Sequence, residues 1–536
     1  MKQTSWQSAL PGYRAYLPVD LPPEAAYVYR GNNYMSSAFI APNVHTIHGC
    51  DEMLVSQDVV VLGDNKSSKY ILAGALTARR SLSYFTVIRR GRLQGVEVFM
   101  PHITGDAEPE ELVVLEGCDP DELLVQYAEL AAKAMDVPPI DSAGNATGYC
   151  TWYYYYASVT EADLLENIEA VRNNRTVYSA GYIQIDDGYQ RHQGDWLEQR
   201  DAWPTPLEII ARKIIDAGSI PGIWTMPMLA STASRVYKEH PDWFVKDADN
   251  KTMIIQGWSP EPDNHWVCLD ATKDEVLEHL AKVFKTFRSW GFKYFKMDGL
   301  SFGLMEGRRH DPAATPVSAF RRALKAIREA VPDAVLLACC APFMACMGLV
   351  DHCRVSSDTS RYFTLPVKGV VNTDMNGDCS ISRSAHVTLA NWWKFDRWFR
   401  CDPDTMMARA DNAFYSFGEA KISVLTGILT GVATTSDHLG NITPERLELL
   451  GKSQNLRMRD VRPVNWRDGR WPQVFSGQVD GKKALAIFNY SEKEVVYDFA
   501  DYGMPAECDE LLDAPSLRKN KIILPAHDAA LLVARN

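Results

Sequence analysis

The sequence predicts a multidomain α/β protein. A central (β/α)8 TIM barrel is expected over residues 136–455, between an N-terminal all-β, sandwich-like domain with a helical connector (1–135) and a C-terminal antiparallel β-sandwich (456–536). Three observations predict it. From about 147 to 450 short apolar runs alternate with amphipathic helical patterns, as in repeated βα units. The chemically distinctive residues fall at the C-terminal ends of several of those runs, where barrel sites lie. Neither GxGxxG nor GxxxxGK[ST] occurs, so the phosphate-binding first turn often carried by open doubly wound sheets is missing.

The elements follow in order. YILAGAL, YFTVIRR and VEVFM are short alternating segments split by the turn-like GDNKSS and RRGRLQG, which reads as all-β structure. The run ELLVQYAELAAKAM is a helical connector. YIQID (182–186), GIWTMP (222–227), FKYFKMD (292–298), AVLLACC (334–340) and GLVDHCRVSS (348–357) read as strands. The helices between them carry their own punctuation. Thr160 and Asp163 form a capping box ahead of the stripe Leu164, Leu165, Ile168 and Val171. Thr205 and Pro206 open a second helix, which Gly218 ends. Val276, Leu280, Val283, Phe287 and Trp290 stripe a third, closed by Gly291, and Thr315 with Pro316 begins a fourth. Beyond about 460, WPQVFSGQVDGKKALAIFNYS, EVVYDF and KIILPAHDAALLVARN read as antiparallel strands, with DGK as a hairpin turn.

Composition narrows the function classes. An apolar content of 46% suffices for a large buried core. The net charge of −12 argues against a nucleic-acid backbone or an anionic membrane as the main partner, since both would repel it. The first residues lack an apolar h-region and nowhere do eighteen apolar residues run together, so a cytoplasmic protein is expected. Eleven cysteines at irregular spacing fit a reducing compartment. Cys339, Cys340, Cys346 and Cys353 do not have zinc-ligand spacing and read as small buried thiols, so no metal is expected.

The chemistry centres on YFKMDGL (294–300), where Lys296 and Asp298 share one face of an extended strand end. A structural ion pair is the plain reading. Because a buried pair stabilises weakly against its desolvation cost, a chemical purpose is the stronger one. In HCRVSSDTSRY (352–362), Arg354 and Asp358 again follow an apolar run, GLV. Two carboxylates on two strand ends, each with a cation nearby, are what a retaining glycosidase requires. Asp186 and Asp187 end YIQIDDGYQ, where Asp-Gly is also an ordinary turn. The company of GDW (194–196) and Trp224 points to a carbohydrate subsite, with carboxylates accepting from hydroxyls and an aromatic face against the C–H side of a pyranose. NTDMNGD (372–378) lacks the distal Glu of a calcium loop and reads as a turn. No HExxH or GxSxG offers a rival chemistry.

These motifs, in this order, resemble glycoside hydrolase family 36 of clan D, the family of bacterial α-galactosidases. GYCTWYYYYASVTEADLLENI is similar to the family's first strand and helix. YIQIDDGYQRHQGDWL and GIWTMPMLASTASRVYKEHPDWFVKD resemble its most specific stretches. YFKMDGL resembles the nucleophile strand, VDHCRVSSDT the acid/base strand, CDPDTMMAR a later Asn-Asp-Pro-Asp segment, and ALAIFNYSEK with LPAHDAALL the C-terminal sandwich. The resemblance implies Asp298 as nucleophile and Asp358 as general acid/base. It also implies Lys296 and Arg354 as residues that hold hydroxyls and orient Asp298, Asp186 and Asp187 as ligands of the O4 and O6 side, and Trp224 as platform. It implies a small oligosaccharide or glycoside substrate, no cofactor, and multimers as a common state.

Departures from the family pattern bear on the substrate. The usual Gly-Cys-Gly-like loop is Ala338, Cys339, Cys340; the segment after the acid/base is SRYF with Arg361; the Asn before Asp-Pro-Asp is Cys401. The family's N-terminal-domain tryptophan has Tyr34, in GNNYMSS, as its nearest candidate. Cys339, Arg361 and Tyr34 therefore join the expected substrate contacts, and Arg361 keeps an N-acetylgalactosaminide or an acidic sugar open beside galactose. A transglycosylase is a further alternative, and a catalytically silent sugar-binding protein a remote one.

Overall fold

Segments such as YIQI and YFKM bury every side chain, and strands of that kind are stable only where both faces are covered. The computed structural model describes residues 11–21, 26–30, 54–64, 67–90, 92–141, 144–257, 265–364, 379–464, 472–513 and 517–535. In it these segments line a parallel sheet wrapped by helices. In chain order the strands are β1 (Ala146–Cys150), β2 (Tyr182–Ile185), β3 (Ile220–Thr225), β4 (Tyr294–Met297), β5 (Val335–Ala338), β6 (His352–Arg354), β7 (Arg400–Asp402), β8 (Thr405–Met406) and β9 (Val432–Thr435). They pair in the order β7-β6-β5-β4-β3-β2-β1-β9-β8. Only Pro403 and Asp404 separate β7 from β8, so the two sheet edges are one interrupted strand, and the ring closes through it as a TIM-like barrel. Pro403 has no N–H to give a ladder, and Asp404 takes a left-handed φ of 74°.

Local chemistry accounts for the helices. The Thr160–Asp163 capping box opens Glu161–Asn173 as expected. Thr315 caps Pro316–Ala330 by accepting from the Ser318 N–H at 3.1 Å. Leu207–Asp216 starts after Pro206, while the Thr205 hydroxyl donates to Glu161 at 2.7 Å. Gly218 and Gly291, at φ 82° and 109°, reverse the chain after their helices. The expected strand 348–357 shrinks to His352–Arg354, with turns before it and irregular chain after it. Asp358 is thereby left on a loop.

At the N-terminal side lie two four-stranded antiparallel sheets. The connector helix Pro120–Ala134 packs beneath them, its Tyr127 hydroxyl donating to the carbonyls of Asp58 and Ala75 at 3.1 and 2.8 Å. Trp398 Nε1 donates to the Ala128 carbonyl at 3.1 Å and ties the connector to the barrel. At the C-terminal end a five-stranded and a three-stranded antiparallel sheet enclose a separate core of Val474, Leu485, Ile487, Phe499, Ile522 and Leu532. The expected hairpin is there: Asp480 and Gly481, at φ 50° and 74°, join paired strands Val474–Val479 and Lys482–Asn489. Among the described residues no helix is long and apolar enough to cross a membrane. Tyr34 and the NTDMNGD segment lie outside the described residues.

Candidate active site

Side chains at parallel strand ends project over the mouth of the barrel, and the five neighbouring strands β2 to β6 supply the polar residues gathered there. Asp186 follows β2. Its N–H donates to Thr151 Oγ1 at 3.0 Å, and its Oδ2 accepts from Lys296 Nζ at 2.9 Å, Gln184 Nε2 at 2.5 Å and the Cys150 thiol at 3.3 Å. Lys296, on β4, thus reaches past β3 to Asp186. The sequence suggested Asp298 as its partner, but side chains two apart on one strand stand parallel, whereas Asp186 faces Lys296 across the barrel. Burial disfavours the Lys296 charge. Asp186 foremost, with Asp298 further off, outweighs burial and holds the ammonium well above the usual lysine range. Asp187 donates its N–H to Asp186 Oδ1 at 2.9 Å and accepts from Gln190 Nε2 at 2.6 Å.

Asp298 follows β4 and is held by its backbone N–H, which donates to the Thr225 carbonyl at 2.8 Å. Its Oδ2 accepts from Trp224 Nε1 at 3.1 Å and its Oδ1 from the Gly299 N–H at 2.7 Å. Burial pushes this carboxyl up, but the charges of Lys296 and Arg354, then hydrogen bonds from Cys339 and Trp224, bring it down to about 2. The group is therefore an ionised carboxylate at neutral pH.

Trp224 differs from its expected part. It is 1% exposed, so its ring is walled in and its polar edge serves Asp298. The GDW segment is also structural: Trp196 packs edge-on against Trp224 at 5.8 Å, and Asp195 accepts from the N–H groups of Arg235 and Val236 at the start of a helical turn. Cys339 follows β5 and is fully buried, and burial raises its thiol well above the usual range. Asp298, Cys339 and Cys340 bring a carboxylate oxygen and two sulfurs within 4.8 Å of one another. Within this cluster Cys339 gives a hydrogen bond to Asp298.

Arg354, the last residue of β6, ion-pairs with Asp358 Oδ1 at 2.5 Å through Nη1. The expected contact from Arg354 to Asp298 is therefore one of charge, and its hydrogen bonds go elsewhere. Nη2 approaches Cys340 Sγ at 3.5 Å, and Nη1 lies 3.7 Å from Asp404 Oδ2. Arg361 is taken up by Asn412 Oδ1 at 2.8 Å and stands over the rings of Tyr362 and Phe414. Sequence reasoning missed four polar groups here: Cys150 and Gln184 on Asp186, and Asp404 with Tyr153, whose hydroxyl donates to the Asp404 carboxylate. Asp404 lay inside the quoted CDPDTMMAR motif, and Tyr153 inside GYCTWYYYY, so the signal was present without a role.

The Lys296–Asp186 pair is nearly solvent-free, with side chains 7% and 2% exposed. Lys296→Met should strand a buried carboxylate and destabilise the fold by about 3–5 kcal/mol, read by denaturant unfolding. A change below about 1 kcal/mol would mean the pair is not desolvated in solution.

The Melibiase family profile matches residues 150–306, the stretch carrying Asp186, Trp224 and Asp298. Alpha-galactosidase 2 of Pediococcus pentosaceus is 23% identical over 202 residues, 36% of this chain and 27% of that protein, so the match spans about a quarter of the relative's length. Among solved structures, TtGalA, an α-galactosidase from Thermus thermophilus in complex with p-nitrophenyl α-D-galactopyranoside, superposes with TM-score 0.69 at 23% identity, over 89% of this chain and 94% of that one. The GH36 α-galactosidase AgaA from Geobacillus stearothermophilus does so with TM-score 0.64 at 12% identity, over 97% and 76%. These likenesses establish a shared fold.

Proposed function

We propose that this protein is a retaining exo-α-glycosidase, an α-galactosidase that removes terminal α-galactosyl groups by double displacement. The observation that carries the reading is Asp298. It is a strand-end carboxylate brought down to about 2 by Lys296, Arg354 and two side-chain donors, with a second carboxylate, Asp358, two strands away. In this mechanism Asp298 attacks the anomeric carbon while Asp358 protonates the leaving oxygen, and Asp358 then activates the water that releases the sugar with retained configuration. Asp186 and Asp187 would accept hydrogen bonds from sugar hydroxyls. The engagement of Arg361 by Asn412 and two rings favours a neutral sugar over an anionic one. The names and complexes of the similar proteins support galactose.

The experiment is product release from aryl α- and β-galactosides, α-N-acetylgalactosaminide, α-glucoside and an acidic α-sugar. Selective α-galactoside turnover is the expected result. Activity only on another α-sugar would keep the mechanism and reassign the substrate, and activity on β-glycosides alone would overturn the reading.

A further inference from the structure

Five carboxylates, Asp186, Asp298, Asp358, Asp402 and Asp404, crowd the barrel mouth around Lys296 and Arg354. So many negative charges are not all held in a largely buried site, so some carry protons. Geometry indicates which. Lys296 neutralises Asp186, and Asp298 has its own donors. The Arg354 guanidinium lies between two carboxylates, with Nη1 2.5 Å from Asp358 Oδ1 and 3.7 Å from Asp404 Oδ2. Asp404 is built into place. Its Oδ2 accepts from the Tyr153 hydroxyl and, at 2.8 Å, from the N–H of Thr359, the residue after Asp358. Its own N–H donates to Asp402 Oδ1 at 2.9 Å. Its left-handed backbone, at the interruption between β7 and β8, is a conformation a non-glycine residue keeps only where its surroundings hold it.

We propose that Asp404 is the alternate counter-ion of Arg354: the guanidinium sits on Asp358 while that residue is ionised, and shifts to Asp404 when Asp358 carries the proton for the leaving oxygen. The inference rests on the acid/base role given to Asp358 above. In the resting enzyme the two carboxylates hold one proton between them. Donation breaks the Asp358 O–H bond, sends that proton to the leaving oxygen and leaves both carboxylates ionised around Arg354. The attacking water returns a proton to Asp358 in the second step. The groups facing Asp404 agree with this. Burial pushes its carboxyl up and Arg354 pulls it down; Asp358 pushes it up again, Lys296 lowers it and Asp402 raises it, to about 7. Burial also raises Asp402, against Arg354 and Lys296. Asp404 is a positioning residue, acting through Arg354 and Thr359.

Asp404→Asn tests it, because the amide oxygen still accepts from Thr359 and Tyr153 but carries no charge. With Asp358 as the remaining partner, Arg354 stabilises its ionised form. The basic limb of kcat/KM should then move to lower pH by about one unit, and at neutral pH an alkyl α-galactoside should lose about tenfold more than a 2,4-dinitrophenyl one. A basic limb at the wild-type pH, with equal losses on both substrates, would leave Asp404 a structural anchor and overturn the proposal. Should that variant not fold, Tyr153→Phe removes a donor that favours ionised Asp404. The limb should then move the same way by a smaller amount, and an unmoved or alkaline-shifted limb overturns the proposal. A wild type inactive on every α-glycoside overturns the glycosidase reading itself, whereas an active wild type with unmoved limbs in the variants overturns this inference alone.

Discussion

Asp298→Asn should fold normally and lose at least about 10³-fold in turnover of aryl α-galactosides, since an amide cannot form the glycosyl ester and no neighbouring group replaces it. The change is close to isosteric: the amide oxygen can still accept from the Gly299 N–H, while the acceptor of the Trp224 Nε1–H is lost, so stability is measured with activity. Turnover, with unfolding measured alongside, is the assay, and full activity in the variant would remove Asp298 from the chemistry. A stability readout is linked to it. The folded-state carboxyl is depressed from 3.8 to about 2, so its ionised form contributes stability above pH 3.8 that is lost as pH falls through 2. Across that window the wild type should lose stability relative to Asp298→Asn.

Asp358→Ala should separate substrates by leaving group. An alkyl α-galactoside, which needs a proton on its departing oxygen, should lose about 10²–10⁴-fold, while a 2,4-dinitrophenyl α-galactoside should lose little in its first step. Turnover then stalls at the glycosyl-enzyme, because no base activates water. Azide needs no base, so it should restore release and give the α-configured glycosyl azide. A β-configured azide, or equal losses across leaving groups, would place the acid/base elsewhere. Removing Asp358 also leaves Arg354 beside Asp404, at 3.7 Å, which keeps the guanidinium near a charge and favours a folded variant.

Asp186 and Asp298 were legible as candidates because their signal is local: YIQI and YFKM bury every side chain, and an acid follows each, a position with no packing use for a charge. The fold class was legible for a similar reason: alternating strand and helix periods, with caps such as Thr160 and terminators such as Gly291, are written within a few residues of each element. Side-chain partners are not local. Lys296 was read against the acid two residues away and instead meets one 110 residues earlier, because the barrel curves β2 and β4 toward a common axis. Trp224 had the composition of a sugar platform, but Trp196 packs against it and its buried edge serves Asp298.

By itself, then, the sequence determined the order of βα units and the ends of its helices, all properties of short stretches of chain. Tertiary structure alone decided how the charges at the barrel mouth are shared. Closure of the barrel through Pro403 and Asp404 brings a carboxylate beside Arg354 and Thr359, and the Tyr153 hydroxyl reaches it from the opposite end of the barrel sequence. The protonation of each acid depends on burial and on charges contributed by other strands, so it is set only once the ring has closed.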